Sequence, residues 1–245
     1  IGMELVELPA GKFMMGSPAG EKGHQRDEGQ VAVTLTKPFW LGKTEVTQGQ
    51  FKKVMGMEPP RERLHKGHVQ VQIGEDNAAS YVNWNNATAF CQKLTDLERQ
   101  SGKLPAGESY HLPTEAQWEY ACRAGTTTAY SFGDDESQLG NYGWFDGNAD
   151  NAGEKYAHAV GMKKPNPWGL HDMHGNVFEW CSDWYGNALP GGADPVGPGG
   201  GSDRVIRGGG WRDYPGSCRS ANRYAVPSNR SNDMGFRVAR SQSAQ

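Results

Sequence analysis

No apolar run in the 245 residues approaches the roughly 18 that a membrane-crossing helix needs. The opening segment IGMELVELPAG has neither a basic start nor an apolar core stretch, so it does not read as a secretion signal. Clustered positive charge is missing too. Formal net charge is −3, which excludes a general nucleic-acid binder or a polybasic membrane binder, since both neutralise phosphate with grouped Lys and Arg. There are only four cysteines, Cys91, Cys122, Cys181 and Cys218, and no CxxC pair, which excludes a zinc knuckle. Paired, they would place the chain in the cell envelope or outside the cell; free and buried, they would say nothing of location. No internal repeat and no compositional break divides the chain, so residues 1–245 are expected to form a single domain.

Aliphatic material is scarce as well, with 36% hydrophobic residues, while Gly (34), Pro (14) and Trp (8) are plentiful. Gly and Pro multiply turns, and tryptophans supply burial that aliphatics do not. Aromatic anchors spread from Trp40 to Trp211 argue against disorder. ELVELPAGKFMMGS reads as two short strands around a turn, 17–30 as a charged surface loop, and 31–36 and PFWLGKTEV as strands. Three helices carry start signals. Thr47 and Gln50 form a capping-box pattern closed by Gly56. NWNNATAFCQKLTDLERQSG places Trp84, Ala87, Phe90, Cys91, Leu94 and Leu97 near one face. Thr114 and Gln117 open a short helix stopped at Gly125. Residues 126–203 show little periodicity, with a flexible loop at 190–203, and RVIRGG and GFRVAR read as closing strands.

FMMGS, LGKTEVTQGQF, YHLPTEAQWEYACRAG, NPWGLHDMHGNVFEWCSDWY, RVIRGGGW and GFRVAR occur in this order over the whole chain. Together they resemble the formylglycine-generating enzyme, or sulfatase-modifying factor, family. The resemblance implies an α+β chain with a C-type-lectin-like fold: short helices around an irregular antiparallel sheet, little regular secondary structure, and bound structural calcium. It places calcium at Asp172, Gly175, Val177 and Glu179, mixing carboxylates with backbone carbonyls as calcium prefers. A second calcium site would begin at Asn141 and Tyr142. The bland alternative is that Asp172 and Glu179 cap neighbouring N–H groups. His171 and His174 read as surface or satisfied histidines rather than zinc ligands, and His65 and His68 likewise. One branch of the family makes sulfur-containing betaines with iron and a partner domain, an activity not expected of the single domain read here.

Enzymes of the family oxidise a substrate cysteine to formylglycine with copper and oxygen, using two cysteines after a Gly-Gly-Ser strand end. Two thiolates suit the soft Cu(I) ion. Here the segment is GGGWRDYPGSC: Gly210 stands for the serine, Asp213 falls near the first cysteine, and Cys218 near the second. Asp213 is a hard oxygen ligand, so the resemblance implies no copper centre of the enzyme type and no oxidase chemistry; Cys218 would be catalytic only in an oxidase. From the way the family's fold brings segments together, Cys218 is expected to be either a small buried residue or one half of a disulfide, with Cys122 as partner. Two alternatives stay open: a copper-dependent oxidase with a rearranged site, and an accessory part of a larger assembly.

A further branch of the same fold is catalytically silent and includes the variable proteins of diversity-generating retroelements. These diversify the segment between the two closing strands without Lys, Glu, Gln, Met or Trp. None of the five occurs from Arg212 to Asp233, although an exposed hydrogen-bonded loop also favours Asn, Asp, Ser, Gly and Arg. Residues 208–234 are therefore expected to bind an unknown protein or small-molecule ligand. Tyr214 and Tyr224 would supply rigid contact area, Ser217, Asn222, Asn229 and Asn232 hydrogen bonds, and Arg212, Asp213, Arg219, Arg230 and Asp233 charge. Trp211 reads as a core anchor, and Arg223 and Arg237 as structural forks.

Overall fold

The computed structural model describes residues 1–60, 72–227 and 233–242. His65, His68, Asn229, Arg230 and Asn232 lie outside these. In chain order the elements are β1 (Leu5–Leu8), β2 (Gly11–Met15), β3 (Val31–Leu35), β4 (Phe39–Gly42), α1 (Gln48–Met55), α2 (Trp84–Gln100), β5 (Glu108–His111), α3 (Glu115–Arg123), β6 (Phe178–Trp184), β7 (Gly192–Ala193), β8 (Arg204–Arg207), β9 (Arg223–Val226), β10 (Met234–Gly235) and β11 (Ala239–Gln242). Long stretches between them are held by side chains, which is the low regular structure expected of this fold.

The helices form where their caps predict. Thr47 and Thr114 each accept from the N3 backbone, while Gln50 and Gln117 reach back to the cap, satisfying donors the first turn would orphan. Gly56 closes α1 in the left-handed conformation. The third helix instead turns on Ala124, at φ 48°. On α2, Ala87, Phe90, Cys91 and Leu94 are buried, but Leu97 is 41% exposed, because the helix face has rotated past the core by its last turn.

Among the described residues the strands make three sheets, not one antiparallel sheet. β1-β4-β11-β5 is antiparallel throughout, whereas β10 joins β6 in parallel and β7 joins β3 in parallel. The first two strands pair with β4 and β3 and not with each other. β6, the longest strand, lies inside a region read as loop, because a strand buried on both faces shows no alternation. GFRVAR, expected as one strand, is split: Phe236, Arg237 and Val238 are fully buried between β10 and β11, which belong to different sheets.

One core cluster packs α1 and α2 on Trp180, Ile206 and Phe236. The other packs Trp118 of α3 with Leu41, Met173 and Val205. Deleting either fully buried indole would cost about 3–5 kcal/mol. At the outer face of β8, the Arg204 guanidinium lies between the Trp84 and Trp184 rings, 3.7 and 3.4 Å from their centroids. Beneath these layers, the arginines of the last quarter of the chain reach back to carboxylates of the first three quarters.

Candidate functional site

The surface under consideration is the excursion from β8 to β9. It leaves β8 through Gly208 and Gly209, at φ 97° and 76°, where an added Cβ would meet Trp118 at 3.1 Å and the Cys218 sulfur at 2.7 Å. Only glycine fits that approach. Trp211 then inserts into the core, 2% exposed, its backbone N–H donating to the Asn176 carbonyl at 2.9 Å. A short helical turn over Pro215–Cys218 carries the chain back to β9.

Arginines fix the excursion from below. Arg219 donates to both oxygens of Glu28 at 2.9 and 2.7 Å, to Glu21 at 2.6 Å and to the Gly23 carbonyl at 2.6 Å. Arg223 forks onto Glu115 with two 2.7 Å bonds. Arg207 bonds Glu119 and the Asn222 carbonyl. Arg237 forks onto Glu179 with two 2.6 Å bonds. Such bidentate pairs are among the stronger polar contacts. Arg223 and Arg237 are structural, as expected. Arg219, expected at the surface, is 2% exposed, and Ser217, Asn222 and Asp233 are buried with it. The charged and hydroxyl side chains turn inward because the loop has almost no aliphatic residues to hold it.

Of the expected contact residues that are described, four are not buried: Arg212, Asp213, Tyr214 and Tyr224. Tyr214 is 55% exposed. Its hydroxyl lies 3.5 Å from that of Tyr224, which is 3.3 Å from the Ser217 hydroxyl. The Phe178 ring supports Tyr224 edge-on at 5.5 Å. Arg212 Nε donates to Asp233 at 2.6 Å. The Gly210 N–H donates to Asp213 at 3.1 Å. Burial, then the neighbouring Asp233, pushes the Asp213 carboxyl up to about 7, with Arg212 opposing and Asp146 adding to the rise. A Cβ at Gly210 would stand 3.1 Å from the Asp233 Cβ and 3.2 Å from an Asp213 carboxyl oxygen, so this position is crowded by two aspartate side chains.

Cys218 lies beneath this surface, fully buried. Burial and the nearby Asp213 hold its thiol well above the ordinary range, so the thiolate that copper or a nucleophilic step requires is disfavoured. The disulfide expected between Cys122 and Cys218 is absent, since all four cysteines are free. Cys122 faces the Met173 carbonyl at 3.6 Å and His174 at 3.8 Å instead. His174 accepts from the Ser131 N–H at 3.1 Å through Nε2, which leaves Nδ1 to donate to the Cys218 carbonyl at 2.8 Å. Burial lowers this imidazole to about 4 and raises the Cys122 thiol to about 12, so the Cys–His pair is neutral packing and not a nucleophile with its base.

The expected calcium ligands fit only in part. Both Glu179 oxygens are engaged by Arg237, and one also accepts from the Trp118 indole at 2.9 Å. That carboxylate is already neutralised. The Asn176 carbonyl, between Gly175 and Val177, accepts from Trp211. Asp172, at φ 59°, spends one oxygen on the Gly161 N–H at 2.7 Å, and its other oxygen is buried without a partner. Glu45 is in the same state: one oxygen accepts from Asn176 at 3.1 Å and the other is buried and unpartnered. Among the described residues no cluster of three or more His, Cys, Asp or Glu forms a metal site. At the second expected site, the Asn141 carbonyl accepts from the Lys164 N–H at 2.8 Å and the Lys164 ammonium lies 5.9 Å from the centre of the Tyr142 ring, so a cation is already present there.

Sequence reasoning missed Glu45 and the carboxylates that receive the arginines. Glu115, Glu119 and Arg123 at helical spacing were a legible hint, since Glu119 and Arg123 pair at 2.8 Å. Glu21 and Glu28 gave none, sitting in a loop read as surface.

The fold and the site agree with what comparison finds. The profile of the sulfatase-modifying factor enzyme 1-like domain matches residues 2–242. A formylglycine-generating enzyme of Streptomyces coelicolor is 30% identical, over 96% of this chain and 88% of that protein. Treponema denticola variable protein 1 superposes with a TM-score of 0.81 at 29% identity, covering 97% of this chain and 94% of that one. PvdO from Pseudomonas aeruginosa gives 0.82 at 32% identity, covering 96% and 93%. The order of motifs, the arginine-pinned excursion and a family match over nearly every residue lead to one conclusion: this chain belongs to the sulfatase-modifying factor enzyme 1-like family.

Proposed function

We propose that this protein is a ligand- or protein-binding member of its family that lacks formylglycine-generating oxidase chemistry. Its contact face would be Arg212, Asp213, Tyr214 and Tyr224, together with the part of segment 208–234 outside the described residues. The observation carrying this reading is the pairing of Asp213 with a buried, protonated Cys218, where an oxidase needs two thiolates for Cu(I). The face has binding chemistry of the kind found in antibody loops, with rigid tyrosines beside small polar residues. The likeness to a variable protein, and the lack of Lys, Glu, Gln, Met and Trp from 212 to 233, support diversification of this segment. Calcium belongs to this reading as a structural ion, and the unpartnered oxygens favour Asp172 and Glu45 as its holders. A cell-envelope or extracellular location is part of this reading, and the four free, buried thiols say nothing of location.

The competing reading, a rearranged copper oxidase, is favoured by the likeness to the Streptomyces enzyme. Oxygen consumption with copper and a cysteine-containing sulfatase peptide separates the two. No turnover above background is expected; clear turnover abolished by Cys218→Ala would overturn the binding reading.

A further inference from the structure

Beside the contact face lies a cavity of about 370 Å³, between the 17–30 loop, residues 129–136 and the turn at 214–219. Its size falls within the roughly 300–1,000 Å³ of small-ligand pockets. Tyr130 and Tyr214 provide aromatic wall, and Asp134 and Glu136 stand at the rim. Tyr130 is 2% exposed and anchored, its hydroxyl donating to the Pro215 carbonyl at 2.9 Å, so that wall is rigid.

The described residues around the cavity carry excess negative charge. Of its two cations, Arg219 is already shared by Glu21 and Glu28. Lys22 reaches across the opening to Glu136 at 2.7 Å, leaving Asp134, which accepts from the Ala129 N–H at 2.8 Å, without a cationic partner among the described residues. The Lys22–Glu136 pair is 83% and 45% exposed at its side chains. Such a pair contributes little and gives way readily to a competing cation. The exposed Tyr214 ring, next to Asp134 and to a Glu136 held only by an exposed lysine, suits a flat cation, which stacks on a ring while its N–H groups fork onto an oxygen pair.

We propose that this cavity binds the guanidinium side chain of an arginine carried on a polypeptide, displacing Lys22 from Glu136. Lys22 then acts as an internal competitor covering the opening when no ligand is present. Tyr214 belongs to both this cavity and the contact face, but Lys22, Asp134 and Glu136 lie outside segment 208–234, so their variants report on this cavity alone.

The test is a chemical-shift titration of the isotope-labelled protein with N-acetyl-arginine amide, against the neutral isostere N-acetyl-citrulline amide. Shifts confined to residues around Ala129, Asp134 and Gly216 are expected, with citrulline at least about tenfold weaker. Lys22→Met should tighten arginine binding by about threefold, and Asp134→Asn with Glu136→Gln should weaken it by about tenfold at unchanged melting temperature. No binding, equal binding of citrulline, shifts elsewhere, or indifference to both variants would each overturn the proposal.

Discussion

On the proposed reading, Asp213 replaces a thiol of the family's oxidases. A carboxyl stands near the position of one copper ligand, and its proton is shed near neutral pH because it sits beside Asp233 and partly out of water. The consequence for stability has a definite sign. Unfolded, the group titrates near 3.8; folded, near 7, so between those values the native state holds a proton the unfolded chain has lost. Its contribution therefore falls as pH rises from about 4 to about 7 and stays lost above that. Asp213→Asn should gain on the parent as pH rises, reaching about 2 kcal/mol at pH 8 once solvent screening is allowed for. Urea denaturation at pH 5 and pH 8 measures this, and an equal difference at both would show that the carboxyl is not held protonated. The sequence showed the substitution at Asp213 but not its environment, since Asp233 is twenty positions away in the chain and close only in space.

Among elements, the β8–β9 excursion has two faces of very different energetic weight. Its inner face is arginine, clamped to glutamates of other elements; its outer face is tyrosine and one half-exposed arginine. Arg219→Ala would strand the buried Glu28 and should cost about 3–5 kcal/mol. Arg212→Ala, whose side chain is 47% exposed although its partner Asp233 is buried, should cost less, about 1–2 kcal/mol. Guanidinium denaturation of the two variants compares them directly, and equal losses would refute the division into scaffold and contact face. The three helices were legible because their caps are local: Thr47 with Gln50, and Thr114 with Gln117, sit three residues apart. β6 was not legible, because Trp180 packs into the core under α1 and α2 while Cys181 packs on the other side with Trp118 of α3, which buries both faces and erases the period-two pattern. The inward turn of Arg219, Ser217 and Asn222 was hidden for a related reason. Residue type suggested water, and only the distant Glu21 and Glu28 explain the burial.

Over the whole molecule, the family and its C-type-lectin-like architecture could be read from six ordered motifs, but the placement of charge could not. The expected calcium set loses Glu179 to Arg237 and leaves Asp172 and Glu45 each with an unpartnered oxygen. Adding millimolar calcium to chelator-treated protein should raise the melting temperature by several degrees, since binding only the folded state adds stability by mass action. Asp172→Asn with Glu45→Gln should abolish the rise, and an undiminished rise would place the ion elsewhere. The arginine clamps also impose a direction in time. Glu21, Glu28, Glu108, Glu115, Glu119 and Glu179 all precede the arginines that neutralise them, at 207, 219, 223, 237 and 240. A chain emerging from the ribosome exposes its acids first, at roughly 5–20 residues per second, and waits seconds for the matching cations. Until residues 204–240 are out, the earlier segments carry charge that resists burial, with only Glu119 already paired locally, to Arg123. Folding during synthesis is thus held back to its final stage, and a nascent chain stalled before β8 would present its acidic segments, unfolded, to chaperones and proteases.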